Sequence, residues 1–199
     1  MNYKQFPTVS KILKATESEE SKLALKRWAE NIGEAKAEQI RLESFSRGNM
    51  IDSNVAEYFV TGNCTNNVLK GYLSQFKILE NEVECWSEAN KYWGRFDQKL
   101  SKDGRIILND FKGTGKPKQK QWLGDNPVQL SAYYFALLEQ GQQIDYAQLS
   151  YVVDGKLEVQ KFVFGHNDLK GYFQEFLTRL DLYKDIQAAI NIQGTTKLI

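Results

Sequence analysis

The sequence predicts an α/β chain: a central mixed β-sheet flanked by helices, preceded by a mainly helical part. Three observations predict it. Residues 6–76 read as a series of helices. Strand-like runs then come in two pairs, each around an Asp-Gly step, at Asp103-Gly104 and Asp154-Gly155. One apolar helical stripe lies between the pairs and another follows the second. With 199 residues, 42% of them hydrophobic and 13% aromatic, the chain is sized for a single domain. It divides into a mainly helical part, residues 1–77, and a sheet-centred core, residues 78–192.

Composition excludes several classes. The net charge is +1, so any surface for nucleic acid must be a local patch. The longest apolar runs are far too short to span a bilayer. The start, Met1-Asn-Tyr-Lys-Gln-Phe-Pro7, has neither an apolar signal core nor an Arg-rich presequence. The expectation is a soluble protein of a bacterial or phage-infected cytoplasm, with no membrane partner. Cys64 and Cys85 are the two cysteines. In a reducing compartment they read as small buried hydrophobes, and they are too few for a four-thiolate iron–sulfur cluster. His166 is the single histidine, in a Gly165-His-Asn-Asp168 loop before a helix. A surface or capping role fits it, which leaves little for a Ser-His-Asp or Cys-His mechanism.

Taken in order, Phe6–Lys14 reads as a short helix capped by Thr8 or Ser10. Thr16-Glu17-Ser18-Glu19 has capping-box spacing for a helix whose Leu25, Trp28 and Ile32 share a face. Lys22, Lys26, Arg27 and Lys36 read as a solvated face, because Glu30, Glu34 and Glu38 dilute them. Helix continues from Glu34 to Phe59, with a predicted break at Phe45-Ser46-Arg47-Gly48 and a new cap at Ser46 or Asn49. Ile51, Val55 and Tyr58 then form a stripe. A capped loop at 62–67 precedes a helix carrying Val68 to Phe76. Ile78–Trp86 alternates as a strand, with Glu80, Glu82 and Glu84 on one side. Glu80 and Glu82 lie within reach of a site on the next strands, or are edge-strand charges.

The hairpin carries the chemistry. Tyr92–Leu100 and Arg105–Lys112 flank Asp103-Gly104. A two-residue turn there pairs Lys102 with Arg105. Counting outward sets Asp97 opposite Asp110, with Lys112 on the same face. Opposed side chains lie about 4.5–5.5 Å apart at Cβ, so two carboxylates repel unless a cation sits between them. Mg²⁺ and Mn²⁺ favour such hard oxygen donors, and a neighbouring lysine holds an anion or a water. The layout points to metal-assisted phosphodiester hydrolysis. Spacing alone fits an ordinary charged hairpin face equally well.

Thr114, Lys116, Lys118 and Lys120 follow in a flexible loop with Gly113 and Gly115, suited to phosphate contact. Trp122 reads either as a core anchor, the favoured reading, or as a stacking platform for a base. Asp125 or Asn126 caps the next helix, with Pro127 in its first turn. Gln129 and Tyr133 share a face of that helix. Ile144–Val153 and Lys156–Phe164 form a second hairpin. A final helix begins near Asn167, packs through Leu169, Phe173, Phe176, Leu180 and Tyr183, and ends in a loose tail from Gln193.

Asp97 with Asp110-Phe111-Lys112 resembles the core of the PD-(D/E)XK nuclease superfamily. Gln129-Leu-Ser-Ala-Tyr133 resembles the Q-x-x-x-Y motif of its RecB-like branch. Lys116-Pro117-Lys118, Asn126-Pro127-Val128-Gln129 and Ala132-Tyr133 are similar to the mitochondrial genome maintenance exonuclease and its phage relatives. The likeness extends from Phe6-Pro7-Thr8-Val9-Ser10 to the last helix. It implies a restriction-endonuclease-like core and a DNA exonuclease favouring single strands, dependent on Mg²⁺ or Mn²⁺, with no iron–sulfur cluster. Asp97, Asp110 and the Phe111 carbonyl are the implied metal ligands. Lys112, Gln129 and Tyr133 join Asp97 and Asp110 as the implied catalytic set, and Glu80 lends support. Thr114, Lys116, Lys118, Lys120 and Trp122 are the implied DNA contacts. The family's metal-site histidine follows a glycine by four residues; counted from Gly48, Asp52 stands there. It is either a hard ligand in its own right or a solvated helix residue. That departure keeps a non-cleaving DNA-binding accessory protein open as an alternative, beside a structure-specific endonuclease for flapped or branched DNA.

Overall fold

A computed structural model describes residues 2–196. Its five-stranded mixed sheet and flanking helices are of the expected class. The strands are β1 (Lys77–Ser87), β2 (Tyr92–Lys102), β3 (Arg105–Thr114), β4 (Tyr146–Val153) and β5 (Gln160–Phe164), lying side by side in chain order. All neighbours are antiparallel except β3 and β4. A parallel pair needs a crossover, which α5 (Asn126–Glu139) supplies. The β2–β3 turn is as expected: Asp103 and Gly104 have φ of 51° and 75°, and Lys102 faces Arg105.

Helices cover both faces. On one, α5, α6 (His166–Thr196) and the short α1 (Val9–Ala15) bury Ile12, Phe96, Leu108, Leu137, Leu149 and Phe176 completely. On the other, α3 (Glu34–Thr61) and α4 (Asn67–Leu73) pack Ile51, Val55, Leu69 and Leu73 against Phe111 and Val152. Strand alternation splits β3 between them. Leu108, Asp110 and Lys112 face α5, while Asn109, Phe111 and Gly113 face α3 and α4.

Several expectations are corrected. The break at Phe45–Gly48 is absent: α3 is one 28-residue helix. A helical glycine costs about 1 kcal/mol, and the burial of Ile51 and Val55 just beyond it outweighs that. Ser46 and Asn49 therefore cap nothing. The helix α2 (Glu19–Ile32) is capped by Ser18, whose Oγ accepts from the Ser21 N–H. Its apolar stripe is not core, since Leu25 stays 60% and Trp28 39% exposed. It faces only an open groove shared with Ala37 and Ile40 of α3. β1 does not alternate cleanly. Its register shifts between Ile78 and Glu80, and Glu82 adopts φ 54°. β5 starts only at Gln160; at the preceding turn Asp154 pairs with Arg47 at 3.2 Å and its N–H donates to the Thr114 carbonyl. α6 extends to Thr196, so the predicted tail is helical that far, and 197–199 lie outside the described residues. Both cysteines are free and buried. Among the described residues no helix is long and apolar enough to cross a membrane.

Candidate active site

The β2–β3 ladder runs from Lys102↔Arg105 to Gln98↔Asn109 and ends there. The next step outward is Asp97 and Asp110. At that step a side chain replaces the ladder: Asp97 Oδ2 accepts from the Phe111 N–H at 2.5 Å. On the other edge of β2, the left-handed Glu82 falls opposite Asp97, between Asn81↔Gln98 and Val83↔Phe96. Irregularities of this kind re-aim side chains and gather beside functional sites.

Asp110 is 5% exposed. The Lys112 ammonium lies 2.6 Å from its Oδ2, but the approach is not directed as a hydrogen bond, and that oxygen has no hydrogen-bond partner. Lys112 Nζ donates to Gln129 Oε1 at 3.2 Å, and Gln129 Nε2 donates to Ser10 Oγ at 3.2 Å. Tyr133, one helical turn past Gln129, is 2% exposed. Its ring lies over Gly94, where a Cβ would come within 2.3 Å of Cε1. Asp97, Asp110 and Lys112 thus sit on one face of the sheet, beneath the side of α5 that carries Gln129 and Tyr133.

Burial, and then the charge of Asp110, push the Asp97 carboxyl well above the usual carboxylate range, against Lys112 and the Phe111 N–H. For Lys112, burial acts downward, but the Asp110 and Asp97 carboxylates outweigh it and its pKa is raised. Burial, reinforced by Asp110, keeps the Tyr133 phenol protonated. Asp52 is solvent-exposed on α3. Its carboxyl is also raised, by partial burial first and with Asp110 adding to it, while Lys112 opposes.

Crowded carboxylates and an oxygen buried without a hydrogen bond fit a hard divalent cation. Among the described residues, however, no three His, Cys, Asp or Glu side chains form a ligand group. Asp52 is felt electrostatically by Asp97 without being gathered to it. A cation bound here would have Asp97 and Asp110 as its protein carboxylates.

Other predicted residues lie apart. Glu80 pairs with Lys99 at 3.0 Å, and Lys99 also donates to Gln142; it does not meet the carboxylate pair. Thr114 Oγ1 donates to the Lys116 carbonyl. Lys118 is pinned through its backbone, its N–H and carbonyl both bonded to the Gln160 amide at 2.8 and 2.7 Å. The Lys120 ammonium stands 5.7 Å from the Phe164 ring centroid. Trp122 is no core anchor, being 57% exposed; the adjacent Leu123 takes the interior position, at 3%. His166 meets Tyr134 and Phe135, away from the pair.

Sequence reasoning missed Ser10 as a site residue, and also Gly94 and Tyr151. Tyr151 lies close enough to Lys112 and Asp110 to feel both charges, and its hydroxyl accepts from Asn126 Nδ2 at 2.6 Å. A glycine inside a strand signals close approach by another group, so Gly94 carried a readable sign. The Ser10–Gln129 contact, 119 residues apart, carried none.

No family model matches the chain and no curated protein matches it. Among solved structures it is similar to one named "Putative exonuclease", from Eubacterium rectale, at 11% identity and a TM-score of 0.47, covering 94% of this chain and 79% of that one. It is also similar to SSO0001, at 16% identity and a TM-score of 0.42, covering 78% and 70%. Likeness at that level carries nothing about function.

Proposed function

We propose that the protein is a Mg²⁺- or Mn²⁺-dependent DNA exonuclease acting on single strands with free ends. One observation carries the reading: Asp97, Asp110 and Lys112 meet on one face with Gln129 against the lysine and Tyr133 beside them. A neutral surface hairpin has no need of that set. Its match to the nuclease motifs supports the substrate class and the preference for ends.

In this reading Asp97 and Asp110, with the Phe111 carbonyl, hold the cation, which when bound polarises the phosphate and lowers the pKa of a water. Lys112 remains an ammonium because the carboxylates outweigh its burial. It presents N–H donors to the attacking water and to charge growing on the phosphate. Gln129 takes one of those donors and so sets the direction of the others. Tyr133 stays a neutral phenol and walls the site. The backbone-pinned loop carrying Lys116 and Lys118, and exposed Trp122, serve strand binding by phosphate contact and stacking.

End-labelled single- and double-stranded oligonucleotides, incubated with Mg²⁺, Mn²⁺ or EDTA and resolved by length, test this. Stepwise shortening of single strands that stops in EDTA is expected. Undiminished cleavage in EDTA, or no cleavage of any DNA with either metal, refutes it.

A further inference from the structure

We propose that Ser10 is a positioning residue for Lys112, acting through Gln129, which makes α1 part of the candidate active site. The proposal rests on the nuclease reading. It starts from the chain of contacts Asp110–Lys112–Gln129–Ser10. Gln129 has one acceptor and one donor end. The acceptor faces an ammonium and the donor faces the Ser10 hydroxyl oxygen, so two partners fix both ends of a terminal amide that otherwise rotates broadly. The Ser10 hydroxyl also lies near enough to Tyr133 to act on its phenol, opposing the upward push of burial. One hydroxyl thereby stands beside both α5 side chains, one turn apart, that face the site.

Lys112 has three N–H donors. One goes to Gln129, the contact with Asp110 is an ion pair not directed as a hydrogen bond, and the side chain keeps 27% of its surface exposed, which leaves a third donor for the reaction. Release of Gln129 lets the ammonium settle on Asp110 alone and turns that third donor away.

Ser10 is solvent-exposed, yet the helix carrying it is rigidly held. Thr8 caps α1 through the Lys11 N–H, the Pro7 carbonyl accepts from the Trp93 N–H at 3.1 Å, and Val9 and Ile12 are fully buried. At its other end Arg179 donates to the Leu13 carbonyl and to Thr16 Oγ1, and pairs with Asp125, at the start of α5, at 2.7 Å. One guanidinium therefore ties α1 to the helix that carries Gln129. The hydroxyl is exposed, but its place is not free.

The test compares Ser10→Ala, Ser10→Thr and Gln129→Ala, with the Ser10→Ala/Gln129→Ala double variant. Steady-state cleavage of a single-stranded oligonucleotide in Mn²⁺ is measured beside thermal unfolding and the NMR signals of the Gln129 side-chain amide. Ser10→Ala should lower kcat about three- to tenfold, the size of one hydrogen bond, and leave KM and the thermal midpoint unchanged. Ser10→Thr, which keeps the hydroxyl, should restore kcat. In the Gln129→Ala background Ser10→Ala should add nothing. The amide signals should move in Ser10→Ala and not in Ser10→Thr. The proposal is overturned by an additive effect in the double variant, by unmoved amide signals, or by kcat that is indifferent to Ser10. Wild-type protein that cleaves nothing overturns the nuclease reading instead, and the amide signals then still decide whether Ser10 holds Gln129.

Discussion

Asn109 and Asp110 are neighbours on β3, exposed by 0% and 5%, and they point to opposite faces of the sheet. Asn109 enters a neutral network. Its Oδ1 accepts from Ser150 Oγ at 2.6 Å and from Gln148 Nε2 at 2.9 Å, while the Tyr72 hydroxyl bonds Ser150 at 2.7 Å and accepts from Gln148 at 2.6 Å. Asp110 enters a charged cluster whose oxygens are incompletely bonded and whose ionisations oppose one another. Among the described residues only the Asn109 Nδ2 of that network is left without a partner, because hydroxyls and amides can satisfy most of one another's hydrogen bonds in a dry interior. Two carboxylates and one ammonium cannot, and leave a place for a cation or an anionic substrate. Two polar clusters at the same depth on one strand thus differ in purpose. One holds helix α4 to the sheet, and the other holds two carboxylates and an ammonium together under α5.

Changes to the charged face should produce the largest effects, on turnover and not on folding. Asp110→Asn and Lys112→Ala should each lower DNA cleavage by at least about a hundredfold. Asp110→Asn should leave the thermal midpoint intact or raise it, since it removes a repelling charge. Full activity in either variant would erase the distinction. Gly94→Ala comes next. The added methyl meets the Tyr133 ring, so it should destabilise by about 1–3 kcal/mol and reduce kcat in the fraction that stays folded. Urea unfolding and cleavage assays on one preparation separate the two effects.

The neutral face should behave in the opposite way. Tyr72→Phe removes a hydroxyl shared by Ser150 and Gln148 and should destabilise by about 1–3 kcal/mol, with kcat unchanged; a large fall in kcat would join the two faces functionally.

Asp97 supplies a pH signature. Its folded pKa is raised above the unfolded value of about 3.9. The folded state therefore binds the extra proton, and stability is lost as pH rises from the unfolded toward the folded pKa. Thermal midpoints in EDTA should decline over that window and level off above it, and Asp97→Asn should flatten the decline. The smallest expected effect is that of Asp52→Ala, below about threefold in kcat with a modest rise in the metal concentration needed. Asp52 is exposed and outside any three-residue ligand group. A loss as large as that of Asp110→Asn would make it a ligand.

Much of the charged face was legible beforehand because its causes are local. Asp-Gly demands left-handed backbone at two consecutive positions, the turn sets the register, and strand alternation puts Asp97, Asp110 and Lys112 on one face. The neutral face was not legible, because Tyr72, Asn109, Gln148 and Ser150 come from three separate elements with no spacing rule between them. The same limit hid the continuity of α3 through Gly48, which the packing of Ile51 and Val55 against the distant Phe111 and Val152 sustains. It also hid the exposure of Trp122, where Leu123 occupies the interior instead.

The sequence by itself determined the α/β class, the β2–β3 turn and the residues that share its face, since these follow from φ preferences and a two-residue repeat acting over a few positions. Tertiary packing alone set the left-handed backbone of Glu82 opposite Asp97, the room that Gly94 makes for Tyr133, and the reach of Ser10 to Gln129. Each of those depends on how whole helices settle on the sheet. Burial and side-chain fit govern that settling, and they act between residues far apart in the chain.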